Sequence, residues 1–191
     1  MLLDLRRATP DDADDIARVH VASWRAAYRG VVPDSVLDAL DPIARARQWS
    51  ANIAEPVRHV ALARAGGRVV GFCSSQPRRD EGLGERVAEI TAIYVAPRAW
   101  GQGVGRALLA AELPRLASAG FVAVVLWVLD ANARAQRFYR AAGFAADGAR
   151  RLALGELAIP EHRLTRPLDG AFGSPGDADG RRGLATDGPA A

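Results

Sequence analysis

Apolar and polar positions along the chain follow two periods, and the change from one to the other marks the predicted elements. Alternation at every second residue, or a short run of apolar and β-branched residues, predicts a β-strand, and an apolar stripe that recurs after three and four residues predicts a helix. Strands are predicted at residues 2–7, 59–65, 68–76, 121–129, 145–154 and 161–168, with a further strand that ends at Val95. Helices are predicted at residues 10–28, 35–40, 41–53, 102–119 and 132–142.

Several residues of the predicted helices have a position or a structural effect that the sequence predicts. His20 lies on the apolar stripe of the first helix, and we interpret it as a satisfied core or cleft histidine rather than a catalytic one. Pro114 has no backbone donor, so its helix should kink or end early. In the last helix Phe138 belongs to the stripe that should face the core, and Tyr139 should point obliquely away from it.

Composition and charge narrow the class of protein. Apolar residues make up 49% of the 191 residues, which is enough for one domain with a buried core. The net charge is +3, but the 22 acidic residues are spread among the 25 basic ones, so no basic patch for nucleic acid stands out. Every basic residue is an arginine, which excludes a Schiff-base lysine and a Walker-type lysine.

The cysteine content and the lengths of the apolar runs indicate in which cellular compartment the protein is expected. Cys73 is the single cysteine, so an intrachain disulfide is excluded, and its place within a predicted strand favours an inert apolar role. The first residues lack the basic and apolar regions of a secretion signal, and the apolar run at 121–129 is about half of what a membrane span needs. We therefore expect a cytoplasmic protein with no membrane partner.

A glycine-dense turn, Gly101-Gln102-Gly103-Val104-Gly105, connects the strand that ends at Val95 to a leucine-rich helix. Backbone amides in such a turn, with the positive end of a helix dipole behind them, attract a phosphate or pyrophosphate. The spacing does not fit the dinucleotide fingerprint, because Arg106 and Leu108 stand where it needs glycine, nor does it fit a P-loop. A close packing turn between strand and helix is the alternative interpretation.

Two segments resemble the GNAT superfamily, the acyl-CoA-dependent N-acetyltransferases. The first is Val95-Ala96-Pro97 followed by the glycine turn, in which Gly103 and Gly105 match the pyrophosphate motif while Trp100 fills the position of an arginine or glutamine. The second matches the pattern Asn-x-x-Ala-x-x-Phe-Tyr-x-x-x-Gly-Phe, with Asn132, Ala135, Phe138, Tyr139, Gly143 and Phe144.

The resemblance covers residues 2–168 and implies a fold of the α/β (α+β) class. Its features are a mixed, mostly antiparallel central sheet of about six to seven strands, flanking helices, and a splayed central strand pair that contains a bulge. We expect residues 1–168 to form a single domain. Residues 169–191 are rich in Gly, Ala, Asp and Pro, which predicts a disordered tail.

The resemblance also implies acetyl-CoA as the acyl donor, with residues 102–106 supplying backbone amides to its pyrophosphate. Cationic help would come from Arg98 or Arg106, because Trp100 carries no charge. The predicted cofactor-binding residues are Ile93, Tyr94, Val95, Arg98, Gly101, Gln102, Gly103, Val104, Gly105, Arg106, Asn132, Arg134 and Ala135. No metal is implied.

For catalysis the resemblance implies direct transfer of the acetyl group to an amine, without a covalent enzyme intermediate. Glu89 is the predicted general base, although a carboxylate that is merely solvated or paired with an arginine fits the same position. Tyr139 is the predicted acid for the leaving thiolate, with a packed tyrosine as the alternative. The backbone N–H of Val95 or a neighbour is the expected oxyanion donor.

The stretch from Ser23 to Gly30 resembles the wall of the acceptor pocket in some bacterial members of the superfamily. Trp24 and Tyr28 are therefore candidate substrate contacts, although aromatic residues at this spacing are also common in cores. The expected acceptor is a primary amine of a small molecule or peptide, and relatives are commonly homodimers. The alternatives are a catalytically silent acetyl-CoA-binding module and, from the basic pI alone, a nucleic-acid binder.

Overall fold

The computed structural model describes residues 2–78, 84 and 86–168, so the predicted tail at 169–191 lies outside the described residues. Within them the strands are β1 Asp4–Arg7, β2 His59–Ala65, β3 Arg68–Pro77, β4 Val87–Val95, β5 Ala123–Leu129, β6 Ala145–Ala153 and β7 Ile159–Pro167. The α-helices are α1 Ala13–Ala27, α2 Asp34–Asp38, α3 Pro42–Ala54, α4 Val104–Ser118 and α5 Ala133–Ala141. Every strand and helix expected from the hydrophobic pattern is present.

The described strands form one seven-stranded sheet in the order β1-β2-β3-β4-β5-β7-β6. All neighbours are antiparallel except β4 and β5, so the predicted mixed, mostly antiparallel sheet is confirmed. The parallel pairing of β4 with β5 runs only from Val87–Ala123 to Glu89–Val125. Beyond Glu89 the two central strands separate, which confirms the predicted splay.

A β-bulge in β4 stands next to the point of separation. Ser75 pairs with Ile90 and Ser74 pairs with Ala92, so Thr91 is an extra residue in the β3–β4 ladder. Side chains of a strand alternate between its faces, and an extra residue changes which face the next ones occupy. Ile90 accordingly packs in the core under α4, whereas Ala92 packs in the core under α1 and α3.

Helices cover both faces of the sheet. One core joins α4 to the sheet through residues such as Leu108, Leu116 and Leu126, and the other joins α1 and α3 to the sheet through Ile16 and Phe72. A strand covered on both faces reads as a continuous apolar run, and six of the seven residues of β5 are buried.

Helix α4 runs through Pro114 to Ser118, so an early end at the proline is not found. Proline removes the hydrogen bond that would reach the carbonyl four residues earlier, at Ala110. Ala110 is exposed, so that carbonyl can be hydrated instead of remaining buried without a partner.

The buried carboxylate of Glu112 links α4 to the sheet through hydrogen bonds. Glu112 is 1% exposed; His59 Nδ1 lies 2.9 Å from its Oε2, Arg115 Nη2 donates to its Oε1 at 2.6 Å, and the Ser75 hydroxyl also donates to it. Burial alone would raise the pKa of Glu112, but the hydrogen bonds from His59, Arg115 and Ser75 outweigh it and lower the pKa to about 2.

Replacement of this carboxylate should cost stability in a pH-dependent way. Glu112→Gln is expected to lower the free energy of unfolding at neutral pH by about 3 kcal/mol, because it leaves buried partners without their counter-charge. The folded pKa of about 2 lies below the ordinary 4.5, so the carboxylate stabilises fully above about pH 4.5 and progressively less as the pH falls towards 2.

Urea unfolding of the wild type and Glu112→Gln across this pH range measures the effect. The wild type should lose stability on acidification more steeply than the variant. Glu55→Gln is the matched control, because the Glu55 carboxylate beside Arg58 is 39% exposed and such pairs contribute about 1 kcal/mol or less. Equal losses in the two variants would contradict the role given to Glu112.

Candidate active site

The glycine turn begins where β4 ends. After Val95 the chain makes a 3₁₀ turn, Pro97–Ala99, and then passes through Gly101 and Gly103, which have φ angles of 74° and 83°. These left-handed angles suit glycine, and a Cβ built on either residue would have nothing within 4 Å. Both positions therefore require glycine because of their backbone conformation and not because of close packing. The turn faces open space. Gly103 is the N-cap of α4.

Gly105 has a different role from its two neighbours in the turn. A Cβ at Gly105 would lie 3.1 Å from Cζ of Phe138 on α5. Its lack of a side chain lets α4 and α5 approach closely, so the packing alternative weighed for the glycine turn explains this third glycine. The backbone conformation explains Gly101 and Gly103.

A cavity of about 730 Å³ lies between the splayed strands and continues along the glycine turn. This volume is typical of small-molecule sites. Its walls come from α1, the β4 segment at 90–95, the glycine turn, the β5 segment at 126–128 and the start of α5. Every predicted cofactor-binding residue lines the cavity except Arg98, whose side chain is exposed outside it.

The charge of the cavity is positive. Arg106 and Arg134 line it, and no carboxylate does among the described residues. Arg106 lies in the first turn of α4 and Arg134 in the first turn of α5, and neither of these fully described turns contains an acidic residue. A cation at a helix N-terminus opposes the helix dipole, so this arrangement favours an anion in the cavity.

Trp100 fastens the glycine turn to the end of β4. Its Nε1 donates to the Val95 carbonyl at 2.7 Å, and the Ser23 hydroxyl of α1 donates to the same oxygen at 2.9 Å. Cζ of Arg134 lies 3.9 Å from the centroid of the Trp100 ring, in a cation–π contact. The turn, β4, α1 and α5 therefore meet at Trp100 and Val95.

Asn132 is the N-cap of α5. Its Oδ1 accepts the Ala135 N–H at 3.0 Å, and its Nδ2 lies 3.5 Å from the Tyr28 hydroxyl. Tyr28 lines the cavity, as expected of a substrate contact. Trp24 does not line it, but packs edge-to-face against Tyr28 with the ring centroids 5.0 Å apart.

Tyr139 is the buried residue of α5 and lies on the cavity wall. Burial raises the pKa of its hydroxyl well above the ordinary value, so the hydroxyl is protonated. Phe138 is half-buried and packs against the core beneath α4, as expected, but the expectation that Tyr139 points obliquely away from the core is wrong. Tyr139 is buried in the same core and lines the cavity, while the Phe138 ring contacts Gly105 on α4.

Glu89 occupies the closed end of the splay. It pairs with Gln76 on β3 and with Val125 on β5, and it is the last β4 residue that pairs with β5. Its side chain is half-buried and does not line the cavity, but the next residue, Ile90, does. The structure therefore places Glu89 beside the cavity and Tyr139 on its wall.

Sequence reasoning did not select Ser23 or Trp127 as site residues. Ser23 is a buried hydroxyl on α1, and Trp127 is an aromatic residue within the aliphatic strand β5; both line the cavity. The guanidinium of Arg151 lies 4.0 Å from the Trp127 ring centroid, and that of Arg163 lies 5.6 Å from it. A polar residue on the buried face of α1 was the available signal for Ser23.

Two residues interpreted as core components lie in the core. His20 is buried, accepts the Trp49 Nε1–H at its Nδ1 at 3.0 Å, and stacks on Tyr94. Burial lowers its pKa to about 3, so His20 is neutral near neutral pH. Cys73 is buried, and burial raises the pKa of its thiol well above the ordinary value, which disfavours a reactive thiolate.

None of the helices in the described part of the chain has both the length and the apolar character required to cross a bilayer.

Sequence comparisons identify relatives of the whole central region. The model of the acetyltransferase (GNAT) family matches residues 20–144. An uncharacterised N-acetyltransferase of Bacillus subtilis, YuaI, is 36% identical over 69% of this chain and 74% of its own length. An uncharacterised N-acetyltransferase of Mycobacterium tuberculosis is 32% identical over 82% of this chain and 98% of its own length.

Solved structures share the fold. The PaiA N-acetyltransferase of Thermoplasma acidophilum, solved in complex with coenzyme A, superposes with a TM-score of 0.73 at 17% identity and covers 87% of this chain and 99% of its own. A GCN5-related N-acetyltransferase of Kribbella flavida superposes with a TM-score of 0.67 at 26% identity, covering 87% and 98%.

Proposed function

Because the chain belongs to the GNAT acetyltransferase family, and is therefore an acyl-CoA-dependent N-acetyltransferase that uses acetyl-CoA, we propose that it acetylates a primary amine of a small molecule or peptide by direct transfer. One observation carries the proposal. A single cavity connects the glycine turn to Tyr139 through the gap between β4 and β5.

The residues of the cavity fit acetyl-CoA. The amides at residues 102–106 and the guanidiniums of Arg106 and Arg134 suit the pyrophosphate, because they are donors and cations without a competing carboxylate on the cavity wall among the described residues. The unpaired edge of β4 from residue 90 to 95 offers backbone groups to the amide-containing arm of the donor.

The proposed mechanism gives each proton a destination. Glu89 takes a proton from the acceptor amine, directly or through a water molecule, and the amine nitrogen attacks the thioester carbonyl. The Val95 N–H or a neighbouring amide stabilises the tetrahedral oxyanion. As the carbon–sulfur bond breaks, Tyr139 donates its proton to the leaving thiolate, and the products are CoA and the acetylated amine.

Three further properties of the chain belong to this proposal. The acceptor would enter from the side of α1, where Tyr28 lines the cavity and Trp24 supports it. Residues 1–168 would act as one catalytic domain, because the sheet that holds the site runs from β1 to β7. We place the reaction in the cytoplasm, in keeping with a buried free cysteine.

Calorimetric titration with acetyl-CoA, with ATP as the negative control, tests the proposal, followed by turnover assays with a panel of amines. We expect acetyl-CoA to bind at micromolar concentration, or about −8 kcal/mol, and ATP to show no comparable binding. Binding without turnover of any amine would support a catalytically silent acetyl-CoA module instead. Absence of acetyl-CoA binding would refute the proposed function.

The glycine turn yields a more local prediction. Gly103→Ala is expected to weaken acetyl-CoA binding about tenfold, because a side chain at a φ of 83° costs about 1–2 kcal/mol and displaces the N-cap of α4. Gly120→Ala is the matched control, since Gly120 has a φ of 88° at the other end of α4, away from the cavity.

Calorimetry and thermal melting of the two glycine variants separate binding from stability. Both variants should lose stability to a similar extent, but only Gly103→Ala should lose affinity. Equal affinities would show that the conformation at Gly103 does not determine phosphate binding.

A further inference from the structure

The geometry points to Trp100 as a positioning residue that holds Arg134 at the phosphate-binding turn, so that the main cation for the anion comes from α5 and not from the turn itself. This inference rests on the proposed function, because the anion is the pyrophosphate of acetyl-CoA. It also gives a role to the residue at which the turn departs from the pattern of its family.

The indole of Trp100 is held in a fixed orientation. Its Nε1 donates to the Val95 carbonyl, an oxygen that also accepts a hydrogen bond from Ser23. Trp100 is half-buried, and the hydrogen bond at one edge of the ring determines where the face of the ring lies. A fixed aromatic face is a binding site for a guanidinium group.

Arg134 is the guanidinium on that face, with its Cζ 3.9 Å from the ring centroid. Its side chain is exposed and forms no ion pair with a carboxylate in the described part of the chain. It also lies in the first turn of α5, where the helix dipole disfavours a positive charge. Its position is therefore explained by the Trp100 ring and by an anion, and not by the stability of its own helix.

Within the described segments, the side chains of the other arginines near the turn lack a comparable contact that fixes their position at the cavity. The side chain of Arg98 does not line the cavity, although its carbonyl accepts a hydrogen bond from Gln102 at 2.9 Å. Arg106 lines both the cavity and the groove between α4 and α5, and no contact with an aromatic ring fixes its guanidinium in the described part of the chain. Of the cavity-lining arginines in the described residues, Arg134 is the one that stacks on a ring.

A prearranged arginine binds phosphate better than a mobile one, because less side-chain freedom is lost when its paired hydrogen bonds form. Trp100 would thus act on acetyl-CoA through Arg134. Removal of the ring and removal of the guanidinium should then have the same consequence, and removal of both should have no additional one.

The experiment is a double-mutant cycle on the dissociation constant of acetyl-CoA, measured by calorimetry at several salt concentrations. Trp100→Leu and Arg134→Gln are each expected to weaken binding about tenfold, and the double variant about tenfold as well. Both single variants should reduce the dependence of binding on salt, because a phosphate–arginine contact is lost in each. Arg137→Gln, one turn further along α5 on an exposed position, should leave affinity nearly unchanged.

Trp100→Phe separates the ring from its hydrogen bond. Phenylalanine keeps an aromatic face but loses the N–H that reaches the Val95 carbonyl, so an intermediate affinity is expected. Thermal melting of each variant reports whether the turn remains folded. A purely structural role of Trp100 would lower the melting temperature and the affinity while leaving the salt dependence as in the wild type, and this result would overturn the inference.

The remaining outcomes are also decisive. Additive losses in the double variant, or an Arg134→Gln variant with wild-type affinity, would show that Trp100 does not act through Arg134. A wild-type protein that fails to bind acetyl-CoA would refute the proposed function itself, whereas wild-type binding with additive losses refutes only the role of Trp100.

Discussion

Tyr139→Phe is expected to lower kcat about a hundredfold while the KM for acetyl-CoA stays nearly unchanged. The substitution keeps the ring on the cavity wall and removes only its hydroxyl. The leaving thiolate has a reference pKa of ~8.5, and the tyrosine pKa of ~10 is raised further by burial. The hydroxyl therefore keeps its proton until the thiolate develops, and the variant has no proton to donate.

Release of the CoA thiol at saturating acetyl-CoA measures this effect. Tyr28→Phe is the informative comparison, because the Tyr28 hydroxyl also lies on the cavity wall but next to Asn132. We expect its effect to fall mainly on the KM of the acceptor. A Tyr139→Phe variant with unchanged kcat beside a Tyr28→Phe variant with a large loss would transfer the acid role to Tyr28.

Glu89→Gln is expected to reduce the rate about a hundredfold near neutral pH and progressively less as the pH approaches ~10. An alkylamine with a pKa of ~10.4 is almost fully protonated at neutral pH and needs a base before it can attack. Near its own pKa the amine is substantially unprotonated, so the missing carboxylate matters less. The glutamine keeps the position of Glu89 between Gln76 and Val125 and removes the charge.

The pH–rate profiles of the wild type and Glu89→Gln should therefore converge at high pH. Glu156→Gln, which removes an exposed carboxylate from the turn between β6 and β7, is the matched control and should leave the profile unchanged. An acceptor of low pKa provides a second test, because it needs no base and should be acetylated by both proteins at similar rates. A loss that is uniform in pH would show that another group removes the proton.

The fold was predictable from the sequence because its signals are local. Short runs of apolar and β-branched residues predict strands such as β2 and β3, and the glycine turn marks the start of α4. Periodicity predicts that Phe138 of α5 faces the core, which the structure confirms, but it does not predict that the neighbouring Tyr139 is buried too. The missing side chain of Gly105, on a different helix, leaves room for the Phe138 ring beside Tyr139, and periodicity within one helix cannot show this.

The site was predictable where it follows a motif and not where it depends on contacts between distant segments. The residues of the glycine turn and of the start of α5 line the cavity as expected. Trp127 enters the site from β5, apart from the motifs, whereas Ser23 begins the stretch that resembles the acceptor wall, in which only the two aromatic residues stood out as substrate contacts. The stacking of Arg134 on Trp100 joins two segments that each matched a pattern separately, and neither pattern contains the pairing.

The short parallel ladder between β4 and β5 has a consequence for stability. Three residue pairs, from Val87–Ala123 to Glu89–Val125, are all that connect β1-β2-β3-β4 with β5-β7-β6 by strand pairing within the described residues. Beyond this ladder the two halves are joined by the core under α4, which contains residues of both, such as Ile90 and Leu126. A donor molecule bound along the gap would add contacts to both halves, so that ligand binding would stabilise the sheet where its own hydrogen bonds are missing.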